Sequence, residues 1–68
     1  MNAIKTILEK ITLKQIISEY ILGGFSHETN QIFNKQNISV EVVEYCDCHE
    51  VNFWDEEEEL LESFSVKK

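Results

Sequence analysis

Apolar residues fall at Ile4, Ile7, Leu8 and Ile11, the i, i+3, i+4, i+7 spacing of one helix face. A second set, Leu13, Ile16, Ile17, Tyr20 and Ile21, keeps the same period but is rotated by about half a turn at 100° per residue. The phase breaks at Thr12. Thr12-Leu13-Lys14-Gln15 has the form of a capping box, and Ile11 and Ile16 stand at the two positions of a hydrophobic staple. Two consecutive helices, about 2–11 and 13–22, are predicted. One continuous helix, apolar all round, would need burial that so short a chain cannot supply. Gly23-Gly24 stops the second helix as C′ glycines do. Ser26 is a good N-cap for a third, running to Lys35 or Gln36, with Glu28 favouring its dipole and Ile32 and Phe33 as its apolar surface.

From Ile38 to Trp54 the pattern changes. Val40, Val42 and Val43 are β-branched, Tyr45, Phe53 and Trp54 are aromatic, and the polar knot Cys46-Asp47-Cys48-His49 lies between the two halves. This stretch predicts a β-hairpin that gives the helices an apolar surface to pack on. Asp55 then reads as the cap of a last helix, Glu56 to about Phe64, with Leu60, Leu61 and Phe64 as its stripe. The expected fold is α+β: one domain over residues 1–68, with three short helices, a hairpin at about 38–54 and a C-terminal helix.

A 68-residue chain buries only about 60% of its unfolded surface, so its core is marginal. The hydrophobic content of 43%, with seven aromatic residues, still argues for a folded domain. Self-association is the expected source of extra stability: a homodimer or a higher even oligomer, with Ile17 and Ile21 at the interface. The longest apolar run, Tyr20-Ile21-Leu22, is far too short to span a membrane. The N-terminus lacks the layout of a secretory signal, so the Asn37-Ile38-Ser39 sequon carries no meaning. Two cysteines one residue apart suit a reducing compartment, and the chain reads as cytoplasmic.

Order and turn chemistry resemble a winged helix. Within it, Ile17 to Phe33, ISEYILGGFSHETNQIF, is similar to a helix-turn-helix segment: a glycine at the turn, apolar Phe25 after it, and Ser26-His27-Glu28-Thr29 opening the second helix. Tyr20 stands where such motifs want a small residue, and Asn30 where they want an apolar one. On these residues the resemblance implies a module that serves protein contact; the alternative is a small regulatory module that acts as a dimer and binds nucleic acid weakly. The would-be recognition helix has a single cation, Lys35, where DNA readers need several phosphate contacts.

Cys46, Cys48 and His49, with His27 more distant, would be the ligands if the chain held zinc. Structural zinc sites use two paired motifs, and only one irregular half is present. The reading adopted is that Cys46 packs as a small hydrophobe, Cys48 and His49 lie in the turn, and there is no metal or cofactor. A Cys-His neighbour pair is also a poor nucleophile signal, because catalysis needs spatial adjacency and a third orienting group. The chain does not read as an enzyme, and no catalytic residue is assigned.

Charge is the stronger signal. Residues 1–37 hold four Lys against three Glu, a balance of +1; residues 38–68 hold ten acids against two Lys, a balance of −8. There is no Arg, the residue most used to grip phosphate and guanine, so direct nucleic-acid binding is disfavoured. Acids in the first turn of a helix would explain two or three carboxylates. They leave the rest of the acidic half unexplained, and crowded like charge costs a marginal domain stability. The expected function is an inhibitor or adaptor that binds a basic surface of another protein, a nucleic-acid-binding groove being the obvious example. The candidate contact residues are Glu41, Glu44, Tyr45, Glu50, Trp54, Glu57, Glu58 and Glu62. Small Arg-free, Lys/Ile/Asn/Glu-rich chains of this kind look like those of phages and mobile elements in AT-rich bacteria.

Overall fold

The Asn2 side chain begins the first helix by accepting hydrogen bonds from the Ile4 and Lys5 amides at 3.0 and 3.4 Å. A computed structural model describes residues 2–68 of the chain. Helix α1 spans Ala3–Lys10 and α2 spans Leu13–Ile21. Between them the chain is extended at Ile11, and Thr12 Oγ1 accepts from the Gln15 amide at 3.1 Å. The Gln15 side chain reaches forward to Glu19 at 3.3 Å, so the capping box is made in one direction only. Ile11 and Ile16 are both buried, as a staple requires.

Both later helix ends are closed by Schellman motifs. After α2, the Gly24 amide donates to the Glu19 carbonyl and the Gly23 amide to that of Tyr20, with the two glycines at φ +130° and +127°. Helix α3 spans His27–Asn34, one or two residues shorter than expected. There the Ile38 amide donates to Phe33 and that of Asn37 to Asn34, with Asn37 at φ +55°. Phe33 and Ile38 meet in the core, the apolar contact that accompanies this motif.

Three antiparallel strands follow as a meander, in the order β1-β2-β3: β1 Ser39–Glu44, β2 Cys48–Trp54 and β3 Leu60–Lys67. The expected hairpin is present as β1 and β2. The expected C-terminal helix is not: residues 60–67 form the third strand, and Asp55 to Glu59 form a turn. Two physical causes decide this. Val51, Asn52 and Phe53 are buried in succession on β2, so its backbone needs a ladder on both sides. From Glu62 onward the chain alternates as Phe64 and Val66 against Ser63, Ser65 and Lys67, a strand period. The Asp55 carboxylate does cap, but it caps the turn, accepting from the Glu57 and Glu59 amides at 2.8 and 2.9 Å.

That turn holds Glu58 at φ +64°, where a side chain is disfavoured. Glu58→Gly should raise stability by about 1 kcal/mol, while Glu58→Gln, which removes only the charge, should gain less. Thermal melting of the two variants beside the parent checks this.

The helices cover one face of the sheet. Val42, Val51 and Phe53 meet Ile4, Ile7, Ile11, Ile16, Ile17, Phe33 and Ile38 there, with Phe64 edge-on to Phe53 at 5.9 Å. α2 lies against β2 and α3 against β1, whereas β3 packs chiefly on β2.

Candidate interaction surface

Side chains alternate across a strand, so Val51 and Phe53 pointing at the helices send Glu50, Asn52 and Trp54 to the open face. The register adds Glu41 and Ser63 beside Asn52, Val43 and Ser65 beside Glu50, and Ser39 and Leu60 beside Trp54. Asn52 is the centre of this face. It is 7% exposed although no helix covers it, because its neighbours close over it. Its amide donates to Glu41 Oε1 at 3.1 Å, and its carbonyl accepts from Ser63 Oγ at 2.6 Å. One row across three strands is thereby pinned. Sequence reasoning missed Asn52, although a lone amide between Val51 and Phe53 is the available signal.

At one end of the face, Trp54 and Leu60 form an apolar spot. Trp54, Ser39, Asp55 and Glu58 line an open recess of about 380 Å³. The step from the Phe53–Glu62 pair to the Trp54–Leu60 pair leaves Leu61 over as a β-bulge. Leu61 turns toward the helix side, beside Ala3 and Ile38. Glu56, Glu57, Glu58 and Glu59 ring this end, all exposed.

The remaining expected contacts are scattered. Tyr45 sits in the β1–β2 turn, at the other end of β2 from Trp54 and on the order of 20 Å away along the strand. Glu44 and Glu62 belong to the helix side of the sheet by register. The Glu44 carboxylate receives Lys68 Nζ at 2.9 Å, and that hydrogen bond with the ammonium charge holds its pKa below the ordinary carboxylate value. Glu41, Glu50, Trp54, Glu57 and Glu58 are thus brought to one face or its rim; Glu44, Tyr45 and Glu62 are not.

Of the two expected interface residues, Ile17 is 6% exposed and belongs to the chain's own core, which corrects its assignment. Ile21 is 61% exposed, next to Leu22 at 86%. Cys46 lies exposed in the β1–β2 turn, and both thiols are free. Cys48 and His49, successive on β2, face opposite sides, which prevents them from converging, and His27 lies on α3 against Gln31. Among the described residues, no group of three His, Cys, Asp or Glu is placed to hold a metal ion.

Glu19 is a second residue the sequence reading missed. Its carboxylate accepts from the Ser26 amide at 2.9 Å and from Thr29 Oγ1 at 2.8 Å, tying α2 to the start of α3. The Ser26 amide, then the Thr29 hydroxyl, hold its pKa below the ordinary carboxylate value. A depressed folded-state pKa contributes stability above the unfolded carboxylate range and loses it as pH falls through the folded value. Glu19→Gln should therefore melt below the parent at neutral pH, and the gap should narrow as pH falls below the ordinary carboxylate range. Melting both proteins across that range tests it.

Compared with known protein families, characterised proteins and solved structures, the chain shows no match. No helix among the described residues is long and apolar enough to cross a membrane.

Proposed function

We propose that the chain is a small cytoplasmic binding protein, not an enzyme, that docks its acidic sheet layer on a basic surface of another protein and blocks or bridges it. One observation carries this reading: carboxylates surround the open face where half-buried Trp54 lies beside exposed Leu60. An aromatic anchor inside a charged rim is the anatomy of a binding patch. Glu58 supports it, since a carboxylate is kept where glycine would fit the backbone better. A protein groove built to take nucleic acid has the complementary charge.

The rim sets the rate of encounter. Exposed charges are screened beyond about 8 Å at physiological ionic strength, so association should slow as salt is raised. The triple variant Glu56→Gln, Glu57→Gln, Glu59→Gln should bind about tenfold more slowly at low salt, with dissociation little changed. Surface-binding kinetics against the partner recovered by pull-down from the native host's lysate measure this. Equal on-rates for variant and parent would reduce the rim to a solvated surface and sink the reading.

A second reading rests on α3. His27, Asn30, Gln31 and Asn34 form one exposed stripe, and amides of this kind can pair with adenine in a major groove. Under that reading the chain is a winged-helix-like regulator and β1–β2 is its wing. Retention on DNA or heparin at low salt separates the two, because the acidic binding protein is not retained.

A further inference from the structure

β3 ends the sheet with an open edge eight residues long. The Lys68 amide donates to the Asp47 carbonyl of the β2 side. By the alternation of an antiparallel ladder, Glu62, Phe64 and Val66 then aim their backbone groups at β2, and Ser63, Ser65 and Lys67 aim theirs outward. β3 is also the strand least covered by helices, and Phe64 and Val66 are only partly buried on its helix side. Among the described residues the outward backbone row therefore lacks a partner, and Phe64 and Val66, packed on the core from one side, stay partly open beside it.

We propose that a second copy of this chain supplies it: two β3 strands pair antiparallel about a two-fold axis at Ser65, making one six-stranded sheet. This register keeps each face on its own side, as the pleat demands. It sets Ser65 opposite Ser65, Phe64 opposite Val66 of the second copy, and Glu62 opposite its Lys68, whose ammonium then turns from Glu44 toward the seam. The aromatic–aliphatic pair and the ion pair each occur twice by symmetry, and both are favourable cross-strand pairs. The other edge is unsuited to self-pairing. A two-fold at Val42 of β1 would set Glu41 opposite Val43 and Glu44 opposite Val40, leaving both carboxylates with no cation to pair. Helix α2 is not part of the seam, which separates this dimer from one built on Ile21.

Light scattering at about 100 µM should return twice the 8.0 kDa chain mass, because an edge seam is a small interface and associates at micromolar concentrations. Amide exchange supplies the local readout: Ser63, Ser65 and Lys67 should exchange slowly in the dimer, whereas an open edge leaves them fast. Ser65→Pro removes an outward amide without touching the β2 ladder and should give a monomer with slow amides retained on β2. If Ser65→Pro does not fold, Glu62→Lys serves in its place; it turns the ion pair with Lys68 of the second copy into a like-charge pair and should weaken the dimer about tenfold. Ile21→Asp should leave the mass unchanged. A parent mass that stays at 8.0 kDa to about 1 mM would overturn the proposal. So would a dimer lost in Ile21→Asp and kept in Ser65→Pro. Species that grow past the dimer would also overturn it, because they indicate β3 pairing with β1 of the next copy.

Discussion

Phe53→Ala is expected to cost about 3–5 kcal/mol, most of what a domain this small possesses. The side chain is fully buried, lies on the central strand and meets Phe64 edge-on. Removing it leaves a void between sheet and helices that neither layer can fill without moving. A melting temperature lower by roughly 15–30 °C is the expected result. The neighbouring Trp54→Ala should behave differently. Trp54 faces outward and is half-buried, so its loss should cost about 1 kcal/mol of stability while weakening the proposed partner complex. Parallel melts of the two variants test which face is the inside. Equal losses would contradict the assignment.

Gly24→Ala is the second large effect. At φ +130° Gly24 lies in a region that only glycine occupies at ease, and Gly23 before it is at +127°. Nothing crowds a Cβ at either position, so the cost is in the backbone alone, about 1–3 kcal/mol. Relief of that strain would unwind the Schellman closure and shift Ser26 away from Glu19. The variant should therefore melt lower and show faster amide exchange at Gly23, Gly24 and Ser26 before the rest of the chain opens.

The helical half was legible because its signals are local. A phase break at Thr12, two glycines and Ser26 each act within a turn of where they stand, and the structure places three helices within a residue or two of the expected bounds. The C-terminal half depends on distant partners. Leu60, Leu61 and Phe64 match a helical stripe as well as a strand, and only the unfilled side of β2 decides between them. The acidic run biased the reading in the same direction, because Asp55 caps a turn with the same chemistry that would cap a helix. Ile17 was misplaced for a related reason. A stripe shows which residues are buried, but not whether the chain itself or a second copy buries them.

The order of elements also governs how the chain comes together during its synthesis. Neighbours in sequence are neighbours in space from β1 through β3, so the sheet closes by short loops and should form quickly once β2 is available. The three helices emerge from the ribosome before the strands, with Ile4, Ile7, Ile16 and Ile17 uncovered. They gain their cover only when Val51 and Phe53 have followed, nearly fifty residues after Ile4 was made. Until then the nascent chain exposes an isoleucine-rich surface, and the interval before β2 arrives is when a chaperone would find it.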